Sequence, residues 1–465
     1  MKKTKLALAI ASVALASSQA HATNGMNMDG YGPIATAMGG TASAYDNGLA
    51  GMMSNPATIM MDSGDGSSFQ IALGNLRPNV ESKMTGMPNA KSAADSFFMP
   101  GIGYATKNGK LTWGVGIMAQ GGMGTDYGAD SFLAATSTGN STGDKVFSQV
   151  GVGRVGIPVN YAVNNKLTIG GSVDFVWAGL DLKMAAPVAQ LGTMADTSQL
   201  DGASAAAFGG LLGAADTARF DFADDSDYTG EAKGTGFGGK LGFTYKVDDK
   251  TTIGASYHTK TNISDLTTSN GYMQAYLAAG TAMLPAAIVG DITVKDFQWP
   301  ATISFGLSTQ VNNKWKVNAD FKRIGWEEVM ASMKMDFKVT DPGASGLTNG
   351  SVIGITMPQN WEDQNVMMIG TEYQYSNKLA LRAGANLSSN PVPDTTLNAL
   401  FPAIIENHYT AGFGYEMSDS SVVDFSLTYA PEVSATNPAT AAPPKPAVTT
   451  THSQISWQAM YTRNW

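Results

Sequence analysis

Pairs of strand-like segments joined by short turns recur along this chain, and the repeat constrains the fold more than any other feature. In residues 366–387, apolar and polar residues alternate on both sides of the turn Ser376-Asn377-Lys378. A period of two places the two kinds of residue on opposite faces of a strand. Similar short turns lie at 107–110, 164–166, 248–250, 312–314 and 418–421. Asn, Asp and Gly suit tight hairpins, so six hairpins are predicted.

Longer connections rich in Ala, Gly, Ser, Thr, Asp and Pro separate one hairpin from the next. They span 81–96, 120–146, 185–231, 265–297, 339–360, 390–404 and 432–451. Short turns at one end and long loops at the other, with both strand termini on the short-turn side, are typical of outer-membrane barrels. We therefore predict an all-β fold, a 14-stranded antiparallel transmembrane β-barrel. A soluble sandwich would show the same alternation, and the unequal loop lengths favour the barrel.

The two faces of the predicted strands also suit a membrane. In 315–322 and 422–429 one face is wholly apolar and carries no charge, while the other carries the polar residues. The last segment, QISWQAMYTRNW, alternates in the same way and resembles the C-terminal strand of outer-membrane barrels that the assembly machinery reads. Arg463 departs from that pattern, which usually has an apolar residue there. The alternative is an edge strand of a secreted sandwich.

The start of the chain and the composition limit the location of the protein. Residues 1–22 combine three lysines, an apolar run and small residues in the order of a secretory signal peptide. No apolar run approaches the ~20 residues of a membrane-spanning helix, which excludes a helical membrane protein. Cysteine is absent and the net charge is −9, which excludes disulfides and argues against a nucleic acid partner. Together with the strand pattern, export predicts the outer membrane of a Gram-negative bacterium.

Residues 23–64 do not alternate and are rich in Gly and Met. The lumen of so large a barrel is too wide for its own side chains to fill. We therefore predict three parts: a signal peptide at 1–22, an N-terminal hatch that plugs the lumen at 23–64, and the barrel at 65–465.

The segment GGTASAYDNGLAGMMSNPAT at 39–58 resembles the hatch of the FadL-type family of outer-membrane transporters, and the blocks 236–260, 361–384 and 390–430 are also similar to that family. The resemblance implies outer-membrane transport of hydrophobic compounds, either long-chain fatty acids or hydrocarbons and aromatics. It implies capture on the loops, passage gated by the hatch, and sideways release through a gap beside a kinked early strand. Candidate kink positions are Gly121, Gly122 and Gly124, or Pro100-Gly101. Candidate hatch and gating residues are Asn55, Pro56, Ala57, Gly39 and Gly40.

Candidate ligand-binding residues are flexible or bulky apolar side chains in the hatch and the long loops. In the hatch they are Met26 and Met28, and in the loops they are Phe208, Leu211, Leu212, Tyr272, Met273, Tyr276 and Leu277. The loop residues have helix-like spacing. These side chains either contact substrate or pack the hatch and loops against one another.

The charged residues leave the substrate class open. Lys183, Arg323 and Arg382 are possible partners of a fatty-acid carboxylate, or else wall charges paired across the lumen. Because no arginine stands beside Asp174 on its predicted inner face, a neutral hydrocarbon or aromatic competes as substrate. The acidic run at 221–227 is a solvated loop face or a divalent-ion bridge to lipopolysaccharide.

Catalytic machinery is not expected. His258, His408 and His452 are widely separated and show no nucleophile or metal spacing, so we expect no cofactor, no metal and no enzymatic activity. The alternatives are a lipid-acting enzyme using His258 and a general diffusion porin. The expected partners are a hydrophobic small molecule, outer-membrane lipid and lipopolysaccharide, and the barrel assembly machinery. We expect a monomer.

Overall fold

The computed structural model describes residues 24–224, 226 and 229–465. The predicted signal peptide and Thr23 lie outside these residues, as do Asp225 and Asp227 of the acidic run. The helices are α1 (Gly32–Ala37), α2 (Val188–Met194), α3 (Gly202–Ala214) and α4 (Trp326–Val329). Four 3-10 helices span Gly48–Met53, Pro56–Thr58, Phe132–Ala134 and Asp394–Thr396.

Most of the chain is strand. The first half contains β1 (Gly66–Leu76), β2 (Pro78–Lys83), β3 (Ala90–Lys91), β4 (Phe97–Asn108), β5 (Leu111–Tyr127), β6 (Val146–Ala162), β7 (Leu167–Pro187), β8 (Ala195–Asp196), β9 (Thr217–Phe222), β10 (Ala232–Lys246), β11 (Thr251–His258), β12 (Asn262–Ile263) and β13 (Leu266–Tyr276). The second half contains β14 (Ile288–Lys295), β15 (Thr302–Asn312), β16 (Trp315–Ile324), β17 (Ser332–Asp341), β18 (Val352–Pro358), β19 (Gln364–Gln374), β20 (Leu379–Ser388), β21 (Asn407–Ser418), β22 (Ser421–Asn437), β23 (Thr440–Ala441), β24 (Pro444–Lys445) and β25 (Val448–Asn464).

The sheet closes on itself as an antiparallel barrel. The last long strand, β25, pairs with β1 from Ser68↔Asn464 to Asn75↔Trp457. At the long-loop end, two additional strands join the wall. The hydrogen-bonded circuit around the barrel there contains sixteen strands. In order they are β1, β4, β5, β6, β7, β9, β13, β10, β11, β15, β16, β19, β20, β21, β22 and β25.

The prediction of a 14-stranded barrel was therefore wrong, because β9 and β13 lie within 185–231 and 265–297, which the sequence analysis assigns to loops. β7 pairs with β9 at the long-loop end, and β13 pairs with β10 at Thr267. Closer to the short turns the wall passes from β7 directly to β10. β9 (TARFDF) does alternate polar and apolar residues, a strand signal that the sequence analysis missed inside the long Ala- and Gly-rich connection 185–231.

The six short turns occur where the sequence predicts them. Each joins two neighbouring wall strands at one end of the barrel: β4–β5, β6–β7, β10–β11, β15–β16, β19–β20 and β21–β22. The predicted faces are also confirmed, since apolar side chains such as Met367, Ile369 and Leu387 are exposed on the outside. The polar residues that alternate with them point into the lumen.

Within the described residues, no helix is long and apolar enough to cross a membrane.

Because the outer face is apolar, we expect a charged residue halfway along a wall strand to destabilise the folded barrel strongly. Ile369 lies at the centre of β19 and is 54% exposed. We expect Ile369→Lys to lower the free energy of unfolding in lipid vesicles by about 2–4 kcal/mol, because a lysine at the bilayer midplane is poorly solvated. The measurement is urea unfolding followed by tryptophan fluorescence.

Ser376→Lys in the short turn is the control, and a change of less than about 1 kcal/mol is expected there because interfacial lysines reach water. Equal losses in the two variants would contradict a lipid-facing outer surface.

Candidate functional site

Residues 24–64, which we call the hatch, fill the lumen of the barrel. Helix α1 contacts β20, β21, β22 and β25, while the 3-10 helices at 48–53 and 56–58 contact the opposite wall at β4, β5, β6, β7 and β10. Nearly all hatch residues are buried. The hatch thus contacts the wall on both sides of the lumen.

The predicted gating triplet Asn55-Pro56-Ala57 anchors the hatch to the wall. Asn55 begins the 3-10 helix, and its Oδ1 accepts a hydrogen bond from the amide of Ala57 at 3.0 Å. Its Nδ2 donates to the carbonyl of Ser43 at 2.8 Å and to that of Phe243 in β10 at 3.1 Å. One buried amide therefore caps a helix, ties two hatch segments together and attaches both to the barrel.

Glycines in the wall allow this close approach. A β-carbon at Gly170 of β7 would lie 2.6 Å from the amide nitrogen of Ala57, and one at Gly242 of β10 would overlap Oδ1 of Asn55. The predicted hatch residues Gly39 and Gly40 have φ of +70° and +87°, which L-residues with side chains rarely adopt. The Gly39 amide donates to Oγ1 of Thr410 in β21 at 3.0 Å. The triplet and the glycine pair thus hold opposite sides of the hatch.

A small apolar cavity of about 50 Å³ lies between the hatch and the first wall strands. We call it the lateral cavity. The hatch contributes Met28, Tyr31, Gly32 and Ala50, and the wall contributes Gln70, Ala72, Gly74, Met99, Pro100, Gly101, Ile102, Gly103, Met118, Ala119, Gln458 and Met460. Met28, one of the two predicted ligand-binding residues in the hatch, therefore lines the lateral cavity.

The wall is incomplete beside this cavity. β4 pairs with β5 from Asn108↔Leu111 only as far as Ile102↔Ile117, although β4 continues back to Phe97 and pairs there with β1. In the described residues, no β5 position beyond Ile117 pairs with β4. β5 instead bulges against β6 between Ala119 and Gly121. Both predicted kink sites, Pro100-Gly101 and the glycines from Gly121, flank this gap.

A second apolar cavity, of about 20 Å³, lies among the long loops, and we call it the loop cavity. Its lining includes four of the predicted loop residues, namely Phe208, Leu211, Leu212 and Met273. Helices α2 and α3 and strands β9, β13 and β14 bring these residues together. The sequence placed them in two separate loops, and the fold joins them in one pocket.

The other three predicted loop residues lie elsewhere. Tyr272 and Leu277 point outward and are 42% and 41% exposed. The Tyr276 hydroxyl donates to Oδ2 of Asp144 at 2.9 Å. This hydrogen bond links the end of β13 to the loop before β6.

The three predicted carboxylate partners form ion pairs away from both cavities. Arg382 donates to Glu372 at 2.7 Å and to Asp424 at 2.6 Å in the lumen wall. Arg323, half exposed, pairs with Asp363 at 3.0 Å, and Lys183 lies 3.9 Å from Asp221. Among the described residues that line the two cavities, none is a lysine or an arginine.

A further charged cluster was missed by the sequence analysis. Arg154 of β6 donates to Oδ2 of Asp174 in β7 at 3.0 Å, and Lys240 of β10 contacts the same oxygen. All three side chains are almost fully buried, and two cations share one carboxylate. Asp174 pairs in register with Gly156 and Gly238, so its ionic partners come from diagonal positions that only a known register reveals.

A group of three tryptophans was also missed. The rings of Trp299 and Trp326 lie 5.6 Å apart, and those of Trp326 and Trp361 lie 5.3 Å apart, both edge to face. A β-carbon at Gly25 of the hatch would lie 2.7 Å from the Trp326 ring nitrogen. Met26 belongs to the same buried apolar cluster. These tryptophans lie between wall strands, in segments without strand alternation that would have marked them.

His258, the residue on which the alternative of a lipid-acting enzyme depended, contacts the hatch. Its Nε2 lies 2.6 Å from the carbonyl oxygen of Ser54.

A closed sheet with an apolar outside, a lumen plugged by a hatch and apolar cavities at two levels define a class of protein, the plugged transport barrel of the outer membrane. The family model described as "Outer membrane protein transport protein (OMPP1/FadL/TodX)" matches residues 7–459. The chain belongs to this family, whose members are transport channels of the outer membrane.

Three known proteins are similar to this chain in sequence or structure. The crystal structure of the toluene transporter TodX of P. putida is 32% identical, covers 94% of this chain and 99% of its own, and superposes with a TM-score of 0.81. The long-chain fatty acid transport protein of Escherichia coli is 23% identical over 451 residues, which are 92% of this chain and 91% of that protein. An uncharacterized protein of Chlorobium limicola is 36% identical over 93 residues, and the chain spans 46% of its length.

The contacts of Asn55 predict that this residue holds the hatch in place and that the barrel folds without it. We expect Asn55→Ala to raise the frequency of open events in planar-bilayer recordings about tenfold, because a cap and two hydrogen bonds are lost. The barrel should still show the heat-modifiable mobility of a folded β-barrel on gels.

Asn47→Ala is the matched control, since both polar side-chain atoms of this buried hatch residue lack hydrogen-bond partners among the residues that the structure describes. A silent Asn55→Ala channel would contradict the anchoring role, and loss of the folded barrel would make the residue structural.

Proposed function

We propose that the protein carries small neutral hydrophobic compounds, with aromatic hydrocarbons as the main class, inward across the outer membrane. The observation that carries this proposal is the lining of the lateral and loop cavities, which is apolar with a few neutral polar groups and without lysine or arginine. A carboxylate in either cavity would be desolvated without a cationic partner, which costs several kcal/mol. TodX, named a toluene transporter, supports the same class.

The route that we propose begins at the loop cavity and ends at the gap between β4 and β5. Substrate collects against Phe208, Leu211, Leu212 and Met273, passes the apolar cluster of Met26 and the tryptophans, and reaches Met28 in the lateral cavity. It then leaves sideways into the membrane. Each buried methylene favours an apolar environment by ~0.8 kcal/mol, so a sideways exit avoids returning the substrate to water.

The hatch accounts for the difference from a general porin. Its contacts with wall strands on both sides of the lumen support this view, in which the hatch blocks the straight aqueous route of a porin. In this proposal residues 23–64 gate passage, residues 65–465 form the barrel, and residues 1–22 direct export. Asn55, Pro56 and Ala57 hold the hatch during passage, together with Gly39 and Gly40. We further propose that the protein acts as a monomer, contacts lipopolysaccharide through its loops and is inserted by the barrel assembly machinery.

Long-chain fatty acid transport is the second candidate, and one observation favours it. Arg154 and Lys240 share the single carboxylate of Asp174 inside the wall, which leaves one positive charge in excess. The Escherichia coli relative is named for this substrate. Because the charged cluster does not line either cavity, we rank this candidate second.

Uptake in cells separates the two candidates. Cells that carry or lack the protein are given radiolabelled toluene, hexadecane or oleate at equal concentrations. We expect a protein-dependent initial rate for toluene that exceeds that for oleate by about tenfold or more. A protein-dependent rate for oleate alone would favour the fatty-acid candidate, and equal uptake of all three with and without the protein would end the transport proposal.

The proposed sideways exit leads to a prediction for Gly101, which lines the lateral cavity. A β-carbon at this position would lie 3.5 Å from Met118. We expect Gly101→Trp to lower toluene uptake at least tenfold, since the indole would fill the cavity and the gap. The barrel should remain folded.

Phe98→Trp serves as its control, because Phe98 lies on the same strand and is exposed on the outer face. If both variants transport at the unmodified rate, substrate does not leave through this gap.

A further inference from the structure

The start of the hatch joins two apolar clusters of the lumen. Met26 belongs to the cluster that extends from the tryptophans to the long loops, which we call the upper cluster. Met28 and Tyr31 belong to the cluster around the lateral cavity, which we call the lateral cluster. The clusters have no member in common. In the proposed route, a hydrophobic molecule passing from the loop cavity to the lateral cavity must pass Asn27, the residue between the two methionines.

Asn27 is the centre of a buried hydrogen-bond cluster at this boundary. Its Oδ1 accepts from Nε2 of Gln120 at 2.9 Å and from Nε1 of Trp299 at 3.3 Å. The hydroxyl of Tyr31 lies 3.1 Å from the same oxygen and 2.9 Å from the carbonyl of Gln120, and donates to one of them. Gln120 also donates from Nε2 to the Tyr31 oxygen at 2.7 Å. All four residues are at least 90% buried.

The same cluster fixes the strand that borders the gap. Gln120 lies at the bulge of β5, between Ala119 and Gly121, where the pairing with β6 shifts. The amide of Gly122 donates to the carbonyl of Met26 at 3.0 Å, and Asn27 forms an isolated antiparallel bridge with Gly121. The hatch thus takes the place of a neighbouring strand for this part of β5, which no longer pairs with β4.

We propose that Asn27 and Gln120 form a latch, and that this latch separates the upper cluster from the lateral cavity until it is released. The inference rests on the proposed transport function, of which it specifies the gating residues. A buried polar cluster is a barrier to an apolar molecule because the molecule cannot replace its hydrogen bonds. Release of the Asn27 side chain frees residues 24–28 from β5 and joins the two apolar regions. Asn55 keeps its hydrogen bond to Phe243 of β10, so that part of the hatch stays in place and only the start of the hatch moves.

The first test reads the latch without reference to transport. The chain has no cysteine, so Met26→Cys introduces a single thiol at a side chain that is 2% exposed. N-ethylmaleimide labelling of purified folded protein in detergent then reports how often residue 26 leaves the upper cluster. We expect Asn27→Ala in this background to speed labelling about tenfold, because the acceptor shared by Gln120 and Trp299 is lost. Gln120→Met, which removes the partner on β5, should have the same direction of effect.

Asn47→Ala in the Met26→Cys background is the matched control, since it makes the same truncation elsewhere in the hatch and should leave the labelling rate unchanged. Unchanged labelling in both latch variants would overturn the proposal, and so would equal acceleration by Asn47→Ala, which would mean general loosening of the hatch. If one latch variant does not fold, the other decides. Failure of both to form a heat-modifiable barrel would make the cluster structural and would also overturn the proposal.

The second test connects the latch to function. Initial toluene uptake by cells carrying Asn27→Ala, in the otherwise unchanged chain, should rise severalfold over that of the unmodified protein at a substrate concentration well below saturation. An unchanged or lower rate, where the unmodified protein shows uptake, would overturn the gating role. Absence of uptake by the unmodified protein would instead refute the proposed function, while the labelling result would still decide whether Asn27 holds the hatch.

Discussion

The close packing of the hatch backbone against the barrel wall is the constraint on which the rest of the structure depends. A barrel of this circumference has a lumen that its own side chains cannot fill, so a separate segment must fill it and must satisfy its backbone hydrogen bonds there. Gly170 and Gly242 remove side chains where the hatch approaches the wall, and Asn55 supplies the hydrogen bonds at the same place. Small residues on the wall and a polar residue on the hatch are therefore needed together.

The attachment of the hatch differs from one side of the barrel to the other. Near β10 it is held by Asn55 and by the approach of glycines, in a wall whose strands pair regularly. Near β5 the hatch start forms backbone contacts of its own with the bulge at Gly121, and the wall beside it is open above Ile102. The same contacts that position the hatch start therefore keep β5 away from β4. In the proposed mechanism, the part of the hatch that moves therefore lies beside the exit, while the part near β10 stays attached.

How far the sequence predicted the molecule depends on whether a feature is local. The turn at Ser376-Asn377-Lys378 and its five counterparts were identified from residue types alone, since tight turns are set by a few adjacent residues. The outward positions of Met367 and Ile369 followed from the period of two. β9 shows the same period, but its six residues were missed because they lie inside the long connection 185–231. Four of the seven predicted loop residues meet in the loop cavity. Tyr272 is exposed because it lies on the outward face of β13, and Leu277 is exposed just after the end of that strand.

The sequence by itself determined the hairpins, the membrane-facing surface and the presence of a segment unlike the strands, because each follows from the order of neighbouring residues. Only the tertiary structure decided which residues meet across the lumen. Arg154 and Lys240 reach Asp174 through strand register, and Asn27 reaches Gln120 and Trp299 although 93 and 272 positions separate them along the chain. Such contacts depend on the relative register of strands and on how the hatch lies inside them. The register and the hatch position are set by the packing of the whole barrel, so the residues adjacent in sequence to each contact do not predict it.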